Sequence, residues 1–297
     1  MKILLLGQDG QVGWELKRSL QCLGEIVALG RQGQGALIGD LADLSGLQRT
    51  LEVVKPDFIV NAAAYTAVDK AEADQALAFR INAEAVGILA DYAASSGCWL
   101  IHYSTDYVFS GGGRAPWAEQ DTVSPLNVYG RSKLEGERAI QRSGCSHLIF
   151  RTSWVYGTRG NNFAKVMLRL ASERQKLQVV SDQVGAPTGA ELIADVTAHA
   201  LKAAATGAID GGIYHLAAGG EVSWHGYACH VIETARALGM QLRVETVEEI
   251  PSRAYPTPAQ RPLNSRMDTS RVQAALRIRL PVWQEGVDRM LTEIQGL

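Results

Sequence analysis

Short apolar runs recur along the first half of the chain, and no other feature limits the fold as strongly. The runs are KILLLG at 2–7, EIVALG at 25–30, DFIVNAAA at 57–64, WLIHYST at 99–105 and HLIFRTS at 147–153. Strands that are apolar throughout and separated by amphipathic segments are typical of a parallel sheet with helices on both faces. The sequence therefore predicts the α/β class, with a doubly wound parallel sheet.

The alternation of strands and helices becomes less regular in the second half of the chain. VVSD at 179–182 and GIYHLAAGG at 212–220 still read as strands, whereas the proline-bearing YPTPAQRPLNS at 255–265 suits neither a regular helix nor a central strand. We therefore predict a second, smaller α/β domain that is partly interleaved with the first. The predicted limits are 1–153 for the first domain, with returning segments near 178–218, and 154–297 for the second.

Composition narrows the classes of partner. The chain has 297 residues, 46% of them hydrophobic, and a net charge of −2, with no run of lysine or arginine. We therefore expect a globular protein that binds small molecules and not nucleic acid. No apolar stretch approaches the roughly 18 residues of a membrane span. The opening ILLL run ends in glycine, so it predicts a strand and not a signal peptide.

The cysteines indicate the redox setting. Cys22, Cys98, Cys145 and Cys229 are scattered, with no CxxC pair and no histidine at ligand spacing. The pattern predicts neither a disulfide framework nor a zinc site, and a reducing cytoplasm fits it best.

A glycine-rich segment follows the first predicted strand. GQDGQVG at 7–13 leads into WELKRSLQ, a helix whose Trp14, Leu16 and Leu20 we expect to face the sheet. Glycines at this spacing allow a tight turn and close approach of a pyrophosphate to backbone N–H groups at the helix N-terminus. The segment therefore predicts a Rossmann domain that binds a dinucleotide. A plain strand-to-helix turn is the alternative.

The end of the second strand bears on the type of dinucleotide. NAD-specific Rossmann domains carry an acidic residue there, but this chain reads ALGRQG, with Arg31 and no carboxylate. A guanidinium at this place can pair with a 2′-phosphate, which favours NADPH, although an arginine on a solvated loop is the alternative. Asp40, in GDLAD, either accepts a hydrogen bond from the adenine amino group or caps the helix that follows.

A tyrosine and a lysine stand four positions apart in SPLNVYGRSKLEGE, residues 124–137. With Ser124 as N-cap and Pro125 in the first turn, Tyr129 and Lys133 project from one helix face, one turn apart. A free tyrosine titrates near pKa ~10, and a close ammonium lowers that pKa, so the pair suits proton transfer at a carbonyl. Alone, the same spacing also describes a solvated surface pair.

The strand that ends in STDYVF, residues 104–109, places polar side chains at the carboxyl edge of the sheet, where open α/β sheets bind ligands. Ser104 and Thr105 point to opposite faces, so only one of them is expected to join the tyrosine at a carbonyl oxygen. We assign this role to Thr105.

Together these motifs resemble a known family. GxxGxxG at 7–13, NAAA at 61–64, STD at 104–106 and YGRSK at 129–133 resemble the extended short-chain dehydrogenase/reductases. More narrowly, NAAAYTAVDKAE, HYSTDYVF, SPLNVYGRSKLEGE, FRTSWVYG, NNFAKVMLRLA, DQVGAPTGAEL and RPLNSRMDTSR resemble the dTDP-4-dehydrorhamnose reductase family, from Met1 to the C-terminal LTEI.

This resemblance implies reduction of the C4 ketone of dTDP-4-dehydro-L-rhamnose, the last step of dTDP-L-rhamnose synthesis for cell-surface polysaccharide such as the lipopolysaccharide O-antigen. Tyr129 would protonate the carbonyl oxygen, Lys133 would lower the pKa of Tyr129 and hold the nicotinamide ribose, and Thr105 would position the ketone. NADPH is the implied cofactor, with NADH left open. The implied cofactor contacts are Gly7, Gly10, Gln11, Val12, Gly13, Arg31, Asp40, Leu41, Ala63, Ala64, Tyr65, Thr66, Tyr103, Tyr129 and Lys133.

Substrate contacts implied by the resemblance are Thr105, Asp106, Trp154, Asn162 and Arg261. Trp154 suits a sugar face, although it could equally be core, and Arg261 would neutralise diphosphate charge. Related sugar-nucleotide dehydratases carry a glutamate after the threonine-aspartate pair. This chain has Tyr107 there, which favours reduction over dehydration.

Some members of the family form metal-linked dimers through glutamates, and the matching positions are Glu15, Glu191 and Glu293. The resemblance thus implies a magnesium site and a homodimer, whereas isolated surface glutamates are usually only solvated. Two other functions share the motifs: reduction or epimerisation of another nucleotide sugar, and a non-catalytic NADP-binding regulatory subunit such as the regulatory partner of methionine adenosyltransferase. The intact Tyr129, Lys133 and Thr105 argue against the regulatory subunit.

Overall fold

The structure of the protein, a computed structural model, describes residues 1–296. Its strands are β1 (Lys2–Leu6), β2 (Glu25–Leu29), β3 (Phe58–Asn61), β4 (Trp99–Thr105), β5 (His147–Thr152), β6 (Val155–Tyr156), β7 (Lys176–Val180), β8 (Val184–Gly185), β9 (Thr188–Gly189), β10 (Gly212–His215), β11 (Val222–Ser223) and β12 (Thr246–Ile250). Its α-helices are α1 (Gln11–Ser19), α2 (Leu44–Val54), α3 (Val68–Ala71), α4 (Gln75–Phe79), α5 (Ala85–Ser96), α6 (Val128–Ser143), α7 (Phe163–Glu173), α8 (Ala190–Ala205), α9 (Trp224–Ala237), α10 (Ser270–Leu276) and α11 (Trp283–Gly296).

The main sheet has six parallel strands in the order β2-β1-β3-β4-β5-β10. Successive side chains of a strand point to opposite faces of the sheet, and both faces are buried, as β1 shows. Ile3 and Leu5 pack with α1 and α8, whereas Leu4 and Leu6 pack with α2, α5 and α6. Both sets are fully buried. The predicted α/β class and doubly wound parallel sheet are confirmed.

The order of the strands creates a crevice beside β1. The chain passes from β1 to β2 on one side and then crosses to β3 on the other, so α1 and α2 lie on opposite faces. Open parallel sheets bind ligands outside the carboxyl ends of the strands at such a switch point. The glycine-rich segment after β1 therefore stands where a ligand is expected.

The second half of the chain contributes to both parts of the molecule. β10 joins the main sheet and α8 covers it, whereas β7 pairs with β12 in a separate two-stranded sheet. Residues of β7 alternate between exposed and buried, which suits a sheet with only one covered face. A second core lies among α7, α9 and α11. The division at 1–153 and 154–297 stays a proposal, and β7 departs from the expected return of 178–218 to the first domain.

Helix α6 begins later than the sequence indicated. Asn127, not Ser124, is its N-cap: the Asn127 side chain accepts a hydrogen bond from the Gly130 N–H at 2.8 Å. The Ser124 N–H instead donates to the Val108 carbonyl oxygen, which keeps residue 124 in the preceding loop. Tyr129 therefore lies in the first turn of α6 and Lys133 in the second.

Trp14 does not face the sheet as expected. Leu16 and Leu20 are fully buried, but Trp14 is 41% exposed. Its ring stacks with the Arg159 guanidinium, whose carbon lies 3.5 Å from the ring centroid. A cation–π contact with a loop of the second half of the chain thus holds this side chain at the surface.

Two further observations concern the cysteines and membrane-spanning helices. All four cysteines are free thiols. Among residues 1–296, no helix combines the length and the apolar character needed to cross a bilayer.

A buried ion pair joins α6 to β5. The Arg151 guanidinium donates to both carboxylate oxygens of Glu137, at 2.9 and 2.6 Å, and both side chains are almost fully buried. Two charges are stable in such a place only when they neutralise each other and their remaining donors are bonded. Arg151 satisfies this condition, since it also donates to the Glu119 carbonyl oxygen.

We expect Glu137→Gln to lower the free energy of unfolding by about 3 kcal/mol, because the Arg151 guanidinium would stay buried without a counter-charge. Urea denaturation measures the change. Glu135→Gln on the same helix is the matched control, since Glu135 pairs with Arg138 at the surface and should contribute no more than about 0.5 kcal/mol. Equal effects of the two substitutions would contradict the assignment.

Candidate active site

A cleft of about 700 Å³ opens at the carboxyl edge of the main sheet. Most residues that the sequence singled out line it: Gly7, Gly10, Gln11, Val12, Arg31, Asp40, Leu41, Ala63, Ala64, Thr66, Tyr103, Thr105, Asp106, Tyr129, Lys133 and Trp154. The remaining predicted ligand contacts, Gly13, Tyr65, Asn162 and Arg261, do not line the cleft. The parallel strands thus bring together residues that are more than a hundred positions apart.

The glycine-rich segment is shaped for close approach. Gly7 has a φ of +85°, a conformation that side chains disfavour, and a Cβ on Gly13 would lie 2.0 Å from the Gly7 carbonyl oxygen. Gly13 therefore packs the helix against the loop and does not line the cleft itself. Gly10 is the N-cap of α1 and has no side chain, so the N–H groups of the first turn remain available to an anion.

Arg31 and Asp40 come from the segment that follows β2, which ends at Leu29. Arg31 is exposed and lines the cleft. Asp40 also lines the cleft, and its side chain accepts a hydrogen bond from the Ala42 N–H at 3.0 Å. The helix cap of α2 is Asp43, so the capping alternative for Asp40 is wrong. Asp9, which sequence reasoning missed, also lines the cleft, and its carboxylate packs against Gly30.

Two buried hydroxyls point to a polar ligand in the middle of the cleft. Within residues 1–296, the Ser104 and Thr152 side-chain oxygens have no hydrogen-bond partner, and both residues line the cleft. An unbonded buried polar group is unfavourable, so polar atoms of a bound molecule are expected to satisfy them. With the glycine loop and Arg31, this set of residues fits a dinucleotide.

Tyr65 stands behind the cleft. Its N–H donates to the Asn82 side-chain oxygen at 2.9 Å, and its carbonyl accepts from the same amide. Its ring packs against the cores beside α2, α5 and α6. Tyr65 therefore supports the neighbouring Ala64 and Thr66, which line the cleft.

Tyr129, Lys133 and Thr105 all line the cleft. Thr105 is the last residue of β4, and its hydroxyl group accepts a hydrogen bond from the Tyr107 N–H at 3.2 Å. It also donates to the Asp106 carboxylate at 3.0 Å. Lys133 is 2% exposed although it carries an amine. A solvated surface pair is therefore excluded.

Burial sets the proton affinity of the tyrosine. It raises the pKa of Tyr129 to about 12; the Thr105 hydroxyl opposes the rise in pKa, and the Asp106 carboxylate adds to it. This direction is opposite to the lowering of the pKa expected from Lys133. The lysine Nζ lies 3.1 Å from the Nε2 of His102, so its amine is directed to β4.

Burial also changes the charge of the neighbouring groups. It lowers the pKa of Lys133 to about 8, against the attraction of Glu137 one turn along α6. It raises the pKa of Asp106 to about 6, although the Ser265 and Thr105 hydroxyls donate to this carboxylate. Each shift favours the uncharged form, as expected for a dry site.

Aromatic rings form the wall of the cleft beyond Asp106. Trp154 has a φ of +49°, which is uncommon for a bulky residue and often marks a functional position. Its ring stacks on that of Trp224, with centroids 3.5 Å apart and planes 12° from parallel. Both line the cleft, and Trp154 also packs, partly buried, against the core among α7, α9 and α11, so its contact with a sugar stays a prediction. Trp224, at the start of α9, carries no local sequence signal that could have identified it.

Two predicted substrate contacts are already engaged within the protein. Asn162 caps α7, and its amide nitrogen donates to the Gln11 side chain at 3.0 Å and the Gly157 carbonyl at 2.7 Å. Arg261 forms an ion pair with Asp69 at 2.7 Å. Asn162 therefore positions the loop over the first turn of α1, and Asn161 lines the cleft instead.

The glutamates proposed for magnesium are paired with arginines. Glu15 lies 3.3 Å from Arg18, and Arg289 lies 3.5 Å from Glu191 and 3.2 Å from Glu293. Over residues 1–296 no group of three or more histidine, cysteine, aspartate or glutamate side chains is arranged to hold a metal ion. The protomer therefore gives the magnesium prediction no support, because guanidinium groups already neutralise these carboxylates.

Comparison with known proteins identifies the family. The model of the RmlD substrate binding domain family matches residues 1–295. The dTDP-4-dehydrorhamnose reductase of Shigella flexneri is 53% identical over 294 residues, which cover 99% of this chain and 98% of that protein.

Solved structures agree in fold. A dTDP-4-dehydrorhamnose reductase from Clostridium acetobutylicum superposes with a TM-score of 0.90 at 32% identity, covering 99% of this chain and 100% of that one. The Bacillus anthracis reductase, solved in complex with NADP, has a TM-score of 0.89 at 30% identity, covering 98% and 99% of the two chains. The chain belongs to the dTDP-4-dehydrorhamnose reductase family.

Proposed function

We propose that the protein reduces the C4 ketone of dTDP-4-dehydro-L-rhamnose to dTDP-L-rhamnose with NADPH, in the cytoplasm, as the last step in making a sugar donor for cell-surface polysaccharide such as the O-antigen. The observation that carries the proposal is the meeting of Tyr129, Lys133 and Thr105 in one cleft with the glycine loop. Membership of the family and the NADP complex of the Bacillus relative support it.

The residues that would hold the cofactor follow the length of the cleft. The first turn of α1 would bind the pyrophosphate, Arg31 the 2′-phosphate, and Asp40 and Leu41 the adenosine. Lys133 would hold the nicotinamide ribose. When bound, the reduced nicotinamide supplies hydride to the ketone carbon.

In the proposed reaction, Tyr129 supplies the proton that the ketone oxygen receives. Because burial keeps the pKa of Tyr129 at about 12, the phenol is protonated at neutral pH, which is the form a reduction requires. Thr105 lines the same cleft as this phenol, so its hydroxyl would orient the ketone oxygen beside Tyr129. Tyr129 then donates its proton to that oxygen as negative charge develops on it.

The sugar would lie between Asp106 and the indole of Trp154. Asp106 is fixed by Ser265, whose hydroxyl donates to it, and the aromatic face suits the apolar side of a deoxysugar. Arg261 stays a proposed diphosphate contact, which would require it to share its guanidinium with Asp69. Asn162 would act on the dTDP portion through the loop that it holds.

Tyr107 weighs against the rival reactions. Its ring packs edge-on against Tyr129 with centroids 5.6 Å apart, in the place of the glutamate of related dehydratases.

An assay of NADPH oxidation tests the whole proposal. We expect turnover with dTDP-4-dehydro-L-rhamnose and much slower turnover with other keto-sugar nucleotides. The reverse order would favour the alternative reductase or epimerase, and NADPH binding without any turnover would favour the regulatory subunit.

Tyr129→Phe is expected to lower kcat about a thousandfold, because it removes the proton donor and leaves the ring in place. NADPH binding, followed by fluorescence titration, should stay nearly unchanged. Tyr214→Phe is the matched control, since Tyr214 is also buried but bonds the Asp210 carbonyl, away from the cleft. Unchanged turnover in Tyr129→Phe would refute the assignment of the proton donor.

Arg31→Ala is expected to raise KM for NADPH about tenfold, through loss of a charged hydrogen bond to the 2′-phosphate, and to leave KM for NADH unaltered. Arg49→Ala, on the exposed side of α2, controls for the general loss of a positive charge. An equal change for both cofactors would show that Arg31 is only a solvated loop residue.

The magnesium-linked homodimer stands as a separate proposal that rests on the resemblance alone. It would require Glu191 and Glu293 to exchange Arg289 for a cation. Sedimentation with Mg²⁺ and with EDTA tests it. A dimer that dissociates in EDTA supports the metal link, and a dimer population that EDTA leaves unchanged removes it.

A further inference from the structure

Two side chains that the proposed mechanism does not use form a chain of hydrogen bonds that ends at Lys133. The Nε2 of His102, in β4, lies 3.1 Å from its Nζ, and the Nδ1 of the same ring lies 3.2 Å from the amide nitrogen of Asn61, in β3. Asn61 and His102 are direct neighbours in the strand register. All three side chains are buried, with exposures of 2%, 0% and 1% for Lys133, His102 and Asn61.

The backbone determines which way this chain of hydrogen bonds runs. The Ala63 N–H donates to the Asn61 side-chain oxygen at 3.2 Å, and a backbone N–H can only donate. The amide nitrogen of Asn61 therefore faces His102 and donates to Nδ1. A neutral imidazole that accepts at Nδ1 carries its proton on Nε2. That proton points at Lys133, and only an uncharged amine can accept it.

The ammonium form of Lys133 does not fit the same network. It would donate to Nε2, which moves the ring proton to Nδ1 and sets it against the amide hydrogens of Asn61. Turning the amide over only transfers the conflict to the Ala63 N–H. A doubly protonated ring is also disfavoured, because burial and the nearby lysine hold the pKa of His102 well below its ordinary range.

We propose that Asn61 and His102 are positioning residues that fix Lys133 against β4 and select its uncharged form through the tautomer of the histidine. The inference rests on the proposed function, in which the Tyr129 phenol gives a proton to the sugar oxygen and must recover one. The uncharged amine can take a proton from water, which leaves as hydroxide, and the ammonium so formed passes this proton to the phenolate, giving back the amine and the phenol.

Other titratable groups share the helix or the cleft with Lys133, and among them Glu137 favours its charged form. Tyr129 and Glu137 share its helix, and Glu137 is neutralised by Arg151 of β5. Asp106 lies at the end of β4 and interacts with Tyr129. None of these groups supplies the direct contact at 3.1 Å that His102 makes with the amine.

The test is the titration of Lys133 in the cofactor-free protein, followed by NMR of ε-¹³C-lysine and assigned with Lys133→Met. His102→Leu removes the N–H that donates to the amine, so the uncharged form loses its stabilisation and the midpoint should rise. His102→Gln places an acceptor oxygen near the amine and should raise it. Asn61→Asp also should raise it, because a carboxylate accepts from Nδ1 and makes Nε2 an acceptor.

The alkaline limb of kcat/KM should move in the same directions as the NMR midpoints. His215→Leu is the matched control, since His215 is equally buried in β10 but lies outside the cleft; it should lower Tm and leave the Lys133 midpoint in place. Midpoints unchanged in all variants, or a midpoint lowered by His102→Leu, would overturn the inference. A wild type with no activity on the sugar ketone would instead refute the proposed function.

Discussion

The parallel direction of all six strands is the constraint on which the site depends. Because every strand in the main sheet ends at the same edge, the glycine loop after β1, Ala63 after β3, Thr105 at the end of β4 and Thr152 at the end of β5 all line one cleft. Antiparallel neighbours would have sent half of these residues to the opposite edge. The apolar character of the strands is therefore also the cause of the chemistry, since only strands buried on both faces form such a sheet in water.

Dehydration of the cleft also determines the properties of the site, because it favours the uncharged form of Tyr129, Asp106 and Lys133 alike. Burial raises the pKa of Tyr129 and Asp106 and lowers the pKa of Lys133, so each group is moved toward its neutral form. A lysine and a tyrosine on one helix face have no special reactivity in water. Their pairing becomes useful only when the sheet edge, α6 and the tryptophan wall exclude solvent from both.

Patterns that are local in the chain could be predicted from the sequence. The five strands of the first half, the glycine loop and the Tyr129–Lys133 pair are specified by neighbours a few positions away, and the structure forms these strands and brings the loop and the pair to one cleft. The exact start of α6 was missed, because Ser124 and Asn127 are both good caps and a hydrogen bond to distant Val108 decides between them. Contacts between remote segments leave no local signature in the sequence, since they arise only when the strands and loops are assembled. Examples are the stacking of Trp224 on Trp154, the hydrogen bond between His102 and Lys133, and the ion pair between Asp69 and Arg261.

The stacked indoles of Trp154 and Trp224 also have an optical consequence. Two identical chromophores face to face at 3.5 Å couple electronically, so their absorption and emission differ from those of isolated tryptophans. The protein thus contains a spectroscopic reporter at the end of the cleft, made entirely of its own side chains. Any molecule that slides between the rings or tilts one of them will alter that signal without a label.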